Sequence, residues 1–158
     1  MSKIILTPEL GRSIKQNGNI EIAYTDTSLY CGKLNDRGEF HGIGKYLGRF
    51  GNYYIGEFNN GKKWGACVEQ WWDTRFEGNY VDNRRDGIGR EIYRDGDYSI
   101  GNYINDKRDG EFTFIKPNGS TLTRTYREGE MIIDENGRHV RSNSIIFDTY
   151  ITPPNIMM

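Results

Sequence analysis

The chain has 158 residues, enough for one domain, and a formal net charge of −1 with a pI near 6.1, which excludes the broad basic field of a nucleic-acid-binding surface. Hydrophobic residues make up 35% and aromatics 13%, alongside 20 glycines, a mixture too aromatic for a disordered chain and too glycine-rich for a helical bundle. No apolar run reaches the roughly 18 residues of a membrane-spanning helix.

The opening Met1-Ser-Lys-Ile-Ile-Leu-Thr-Pro-Glu9 soon meets an acid and does not read as a signal peptide. Thr7-Pro8-Glu9 has the form of an N-cap, a first-turn proline and a first-turn acid. Leu10 and Ile14 are spaced for one helical face, and Asn17-Gly18 is a stop. This predicts a short N-terminal helix. From Asn19 to Tyr24, Ile20, Ile22 and Tyr24 alternate as in a strand. Residues 1–29 therefore form an N-terminal cap.

From residue 30 to 137 the chain repeats itself. The pairs Gly42-Ile-Gly44, Gly65-Ala-Cys67, Gly87-Ile-Gly89 and Gly110-Glu-Phe112 have first glycines 23, 22 and 23 residues apart. A second motif recurs in step: Tyr30-Cys-Gly32-Lys-Leu34, Tyr54-Ile-Gly56-Glu-Phe58, Phe76-Glu-Gly78-Asn-Tyr80 and Ser99-Ile-Gly101-Asn-Tyr103, with Leu122-Thr-Arg-Thr-Tyr126 as a weaker copy. Turn signals fall between them at Asn60-Gly61, Asp86-Gly87, Asp95-Gly96, Asp109-Gly110, Asn118-Gly119 and Asn136-Gly137. Each repeat then holds two short strands, one hairpin. Repeats of this length stack into an array, because one hairpin alone is not stable.

Residues i, i+2 and i+4 of a strand share a face, so Tyr54, Gly56 and Phe58 line up, as do Phe76, Gly78 and Tyr80. A strand glycine costs about 0.5–1 kcal/mol, so a repeated one needs a reason. A ring from a neighbouring strand lying over the glycine supplies it, and the result is a thin core on one sheet face.

These motifs resemble the MORN (membrane occupation and recognition nexus) repeat family. Tyr54, Gly56, Phe58, Gly61 and Gly65 match closely, with Cys67 in place of the last glycine. Phe76, Gly78, Tyr80, Gly87 and Gly89 match with Asn83 where a glycine is usual, and the fourth copy keeps Gly101, Tyr103 and Gly110 but carries Ser99 and Phe112. The expected fold is all-β: an elongated single-layer antiparallel meander of about ten strands with a short N-terminal helix. The resemblance implies a non-catalytic binding or scaffold module, with another protein as partner and no cofactor.

Catalytic and metal signatures are weak. Gly42-Ile-Gly-Lys-Tyr-Leu-Gly48 is off by one from a dinucleotide loop and has no helix pattern after it. His41 and His139 are far apart, with no cluster of cysteines or histidines. Cys31 and Cys67 sit at different repeat positions and read as reduced thiols in a cytoplasmic protein. Asn118-Gly-Ser120 is a glycosylation sequon that reads better as a turn.

Two features stand above this background. A basic pair recurs at one repeat position, Lys62-Lys63, Arg84-Arg85 and Lys107-Arg108. Equivalent positions in adjacent hairpins lie roughly 10 Å apart, so these six charges form an anion-binding ladder whose alternative partner is an anionic phospholipid; the plainer reading is a solvated turn, partly neutralised by Asp86 and Asp109. Aromatics also concentrate around Tyr53, Tyr54, Trp64, Trp71 and Trp72. Of these, Tyr53, Trp64, Trp71 and Trp72 are the candidate partner-binding residues, against a second face covered by the termini. A protein inhibitor of an enzyme is a further alternative, nucleic acid is not favoured, and the chain reads as a monomer or homodimer. Residues 138–158 include the apolar stretch Ser144–Ile151 before Pro153-Pro154, read as a capping or docking segment that covers an open sheet edge.

Overall fold

The computed structural model describes the backbone at residues 12–16 and 20–24 and the whole of residues 28–140. The strands are β1 (Arg12–Gln16), β2 (Ile20–Tyr24), β3 (Ser28–Leu34), β4 (Phe40–Gly48), β5 (Tyr53–Asn59), β6 (Lys62–Trp71) and β7 (Thr74–Val81). They continue with β8 (Arg84–Arg85), β9 (Gly87–Ile92), β10 (Tyr98–Ile104), β11 (Lys107–Ile115), β12 (Thr121–Arg127) and β13 (Glu130–Ile133). They form one antiparallel sheet in chain order, with the two-residue β8 pairing β7 just ahead of β9. The expected meander is therefore present, and every described element is a strand.

The expected N-terminal helix gives way to a strand over its described part. Arg12–Gln16 is a strand, paired with Ile20–Tyr24 from Arg12↔Tyr24 to Gln16↔Ile20. An isolated helix of about ten residues is marginal, and an open sheet edge offers the same backbone a full set of partners. Residues 1–11 lie outside the described residues, as do residues 141–158, which hold the Ser144–Ile151 segment. The chain before them turns back along β13, with a bridge Ile133↔His139 and a hydrogen bond from Val140 N to Ile132 O of 2.9 Å.

The glycines form a row across the sheet. Gly32, Gly44, Gly56, Cys67 and Gly78 are successive register partners, Gly78 abuts Gly89, and Gly89, Gly101 and Phe112 continue the row. Rings occupy the space above it. Over three glycines the covering ring is not from a neighbouring strand, as the sequence suggested, but from two residues earlier on the same strand: Tyr30 over Gly32, Tyr54 over Gly56, Phe76 over Gly78. Tyr30 and Phe76 also reach the cross-strand glycines Gly44 and Gly89. The fourth repeat solves the same problem from the other strand. Ser99 supplies no ring there, and Phe112, which replaces the second glycine of its pair, lies over Gly101.

The core is this single layer of rings. Tyr30, Phe58, Tyr54, Tyr80, Phe76, Tyr103, Phe112 and Tyr126 are buried and follow one another edge to face, with centroids 4.9–5.8 Å apart. Edge-to-face contact suits the ring quadrupole, and each T-shaped pair adds about 0.5–1.5 kcal/mol beyond its buried area. We call this ring-bearing side the inner face.

Two of the sequence-derived turns are something else. Asp86-Gly87 and Asp109-Gly110 lie along the strand path, where register shifts by the insertion of residues. Across β10 and β11, Gly101 pairs Phe112 but Asn102 pairs Asp109. Gly87 and Gly110 carry φ of 93° and 86°, the left-handed backbone that such bulges require. The expected turns at Asn60-Gly61, Asp95-Gly96, Asn118-Gly119 and Asn136-Gly137 are present, and along the edge of Asn60-Gly61 the other hairpin turns sit at Asp82-Asn83, Asn105-Asp106 and Glu128-Gly129, all four of that edge at positive φ. Each of these four binds the previous repeat through a backbone hydrogen bond: Gly61 N to Phe40 O (2.8 Å), Asn83 N to Lys63 O (3.1 Å), Asp106 N to Arg85 O (2.9 Å) and Gly129 N to Arg108 O (2.9 Å). This ladder of turns fixes the stacking of one repeat on the next.

Candidate binding groove

Strand alternation divides every basic pair. Lys62, Arg84 and Lys107 are exposed, whereas Lys63, Arg85 and Arg108 turn to the inner face opposite Phe58, Tyr80 and Tyr103. The six positions do not form one ladder. Outside, Lys62 Nζ pairs with Asp82 at 3.1 Å and Arg84 Nη1 donates to Asn105 at 3.3 Å. Inside, each cation lies over rings. Lys63 Nζ is 4.9 Å from the Tyr54 centroid and 5.1 Å from Tyr80, Arg85 is 4.8 Å from Tyr103 and 5.5 Å from Phe76, and Arg108 is 5.1 Å from Phe112.

The inner cations are matched by two carboxylates that the sequence reading did not single out. Glu69, 5% exposed, accepts hydrogen bonds from Lys63 Nζ and from the Tyr80 hydroxyl. Glu91 is shared: Arg85 Nη1 reaches one oxygen at 2.6 Å and Arg108 Nη2 the other at 2.5 Å. Tyr93 joins them, its hydroxyl accepting from Arg108 at 2.8 Å, donating to Glu91 at 3.2 Å and lying 3.1 Å from Ser99 Oγ. A signal for these acids exists in the sequence, since Lys63→Glu69 and Arg85→Glu91 share a spacing of six residues.

Burial opposes the ionisation of Glu91, but the charge and hydrogen bond of Arg108, then the charge of Arg85, outweigh it, and the carboxyl is held below its ordinary value of 4.5. Cys67, in the glycine row, is pushed up to about 12, first by burial and then by the charge of Glu69. The thiol is therefore protonated at neutral pH and packs as a small apolar group. Cys31 and Cys67 are both free.

The aromatic candidates are dispersed. Trp71, 53% exposed, stands on the inner face with Lys63 Nζ 6.0 Å from its ring. Tyr53 and Trp64 lie on the opposite face, Tyr53 beneath Lys45 Nζ at 5.8 Å and Trp64 across from Glu57. Trp72, at φ 44° just beyond β6, stacks on Phe50 with centroids 6.3 Å apart. Only Trp71 joins the inner cations. Together with Thr74, Phe76, Tyr80, Asn83 and Asp106, the residues Lys63, Glu69, Trp71, Arg85 and Glu91 line a groove of about 460 Å³ across repeats two and three.

The groove presents ring faces, hydrogen-bonding side chains and cations already paired with carboxylates, Glu69 buried, Glu91 half-buried and Asp106 exposed. Its carboxylates Glu69 and Glu91 accept hydrogen bonds from Lys63, Arg85 and Arg108. Among the described residues no three His, Cys, Asp or Glu side chains gather as metal ligands. No helix among them is long and apolar enough to cross a membrane.

Comparison with known proteins agrees with the architecture. The MORN repeat model matches residues 36–50, 54–71, 76–98 and 100–121. A relative in Plasmodium falciparum (isolate 3D7), named inactive protein tyrosine kinase pTKL, is 41% identical over 66 residues, which is 40% of this chain and 4% of that protein. This chain thus spans only a small part of that relative. The repeat spacing, the glycine row roofed by rings and the family match together show that the chain belongs to the MORN repeat family.

Proposed function

We propose that this chain is a non-catalytic binding module whose inner-face groove takes a segment of another protein. The groove itself supports this most: an open channel with a half-exposed tryptophan, ring walls and polar groups fixed by ion pairs. Half-exposed tryptophan beside ordered polar groups is the composition of an interaction hot spot. A cytoplasmic location fits the two free thiols. Inhibition of an enzyme would be one use of such binding.

The lipid reading has less behind it. Of its outward cations Lys62 is paired with Asp82 and Arg84 donates to Asn105, and exposed charges of this kind are screened by salt.

Trp71→Ala is expected to weaken capture of the native partner from lysate by about tenfold or more while leaving the melting temperature close to wild type, because half the ring is already in water. Trp72→Ala should leave capture intact. Equal capture by wild type and Trp71→Ala would place the binding surface elsewhere.

A further inference from the structure

We infer that the groove selects a segment carrying a basic side chain, a lysine or arginine that pairs with Asp106 while an apolar side chain of the same segment covers Trp71. This rests on the reading of the groove as a protein-binding site.

The hydrogen bonds of the charged groups come first. Lys63 and Arg85 line the groove, and every nitrogen of their charged heads already has an acceptor. Lys63 Nζ donates to Glu69. Arg85 donates from Nη1 to Glu91 at 2.6 Å, from Nη2 to Asp106 O at 3.2 Å and from Nε to Asp106 Oδ1 at 3.4 Å. Of the three carboxylates in the lining, two are fully used. Lys63 and the Tyr80 hydroxyl take the two oxygens of Glu69, and Arg85 and Arg108 those of Glu91. Asp106 uses only Oδ1, which also accepts from Arg85 N at 2.8 Å. Its Oδ2 has no partner among the described residues. This oxygen calls for a donor, and the negative charge behind it favours a cationic one.

Exposure agrees. Asp106 has 47% of its side chain in solvent, against 27% for Arg85, 23% for Lys63 and 14% for Glu91. An incoming segment meets this carboxylate before it meets either cation.

The turn itself does not require the charge. Asp106 Oδ1 caps Arg85 N at 2.8 Å, and one repeat earlier Asn83 Oδ1 caps Lys63 N at 2.8 Å. The two residues share the left-handed backbone, with φ of 71° and 69°. A neutral amide thus performs the same local task. What the carboxylate adds is its charge, and its exposed contact with Arg85 Nε at 3.4 Å contributes little to stability.

Trp71 fixes where the apolar part of the segment goes. Its ring is 53% exposed, and Lys63 Nζ lies 6.0 Å from its centroid. A second cation there would be repelled by Lys63, whereas an apolar side chain would cover the ring. The ligand's charge therefore belongs at the Asp106 end of the groove.

The test selects a random-peptide library on the immobilised full-length protein and resynthesises the enriched peptides with a label. Enriched peptides should be richer in lysine and arginine than the starting library and poorer in aspartate and glutamate. Replacing the selected basic residue with glutamine should weaken binding about fivefold, and Asp106→Asn should weaken the parent peptide by a similar factor. The Asp106→Asn loss should vanish for the glutamine peptide, because the two changes remove one contact. Binding of the parent peptide should fall as salt rises, and Trp71→Ala should weaken it as well. The glutamine peptide and the salt series need no variant, so the inference stays testable if Asp106→Asn folds poorly.

Enrichment of acidic or uncharged peptides that lose affinity in Trp71→Ala but not in Asp106→Asn would overturn the basic preference and leave the groove as the site. Basic peptides that bind Asp106→Asn as well as wild type would also overturn it. Peptides indifferent to both variants would place binding outside the groove and remove the reading beneath. A selection that enriches nothing would overturn the basic preference, while capture of the native partner through Trp71 tests the groove separately.

Discussion

Gly78→Val is expected to destabilise the fold by about 3 kcal/mol. A Cβ at this position would come within 2.5 Å of Phe76 Cζ and 2.9 Å of Gly89 Cα. Phe76 is 5% exposed and held edge to face between Tyr80 and Tyr103. It cannot move aside without opening both contacts, and the backbone of Gly89 cannot retreat without breaking the β7–β9 pairing. A change in one repeat weakens its interfaces with both neighbours, so unfolding should spread along the array. Denaturant titration reads the effect directly; a loss below about 0.5 kcal/mol would contradict ring-over-glycine packing.

The second large effect belongs to Glu91. Glu91→Gln removes the carboxylate shared by Arg85 and Arg108 at 2.6 and 2.5 Å, with Arg108 buried. Breaking a buried pair by deleting one partner costs about 3 kcal/mol or more, because the remaining charge keeps its desolvation penalty. The pH dependence gives the sign. The folded carboxyl titrates below its ordinary value of 4.5, so its contribution is complete above that value and is lost as pH falls through the lower folded one. The stability gap between wild type and Glu91→Gln should therefore be constant near neutrality and narrow below about pH 4.5. A gap that stays constant into acid would show that the charge of Glu91 contributes nothing.

Much of the architecture was legible because the repeat places the same residue types in the same physical situation several times. A ring two residues before a glycine has one arrangement that satisfies both, and Tyr30, Tyr54 and Phe76 adopt it. Even the irregular fourth repeat follows that logic, since Phe112 supplies what Ser99 lacks. The first glycine of each pair was harder to interpret. Asp86-Gly87 and Asp109-Gly110 have turn composition, yet positive φ serves a bulge as well as a hairpin. The hairpins at Asp82-Asn83 and Asn105-Asp106 contain no glycine and were not recognised, because Asn and Asp also tolerate left-handed backbone.

The site was less legible for a related reason. Alternation, which sorts the rings, also sorts adjacent lysines and arginines, so Lys62-Lys63 is one outward and one inward charge rather than a doubled one. Glu69 and Glu91 are inconspicuous among many acids until the six-residue spacing to Lys63 and Arg85 is noticed. The N-terminal helix failed at Arg12–Gln16 because its caps and spacing are local signals, and pairing with Ile20–Tyr24 is a competing demand that they do not reveal.

The groove as binding surface is tested most directly by its neighbouring tryptophans. Trp71 lines the groove, while Trp72 lies beyond the strand end against Phe50. A photo-crosslinking amino acid placed at one position or the other, in otherwise wild-type protein incubated with native lysate, samples two surfaces one residue apart. The groove reading predicts a covalent adduct with a discrete partner from position 71 and none from position 72. An adduct from position 72, with position 71 silent, would contradict it.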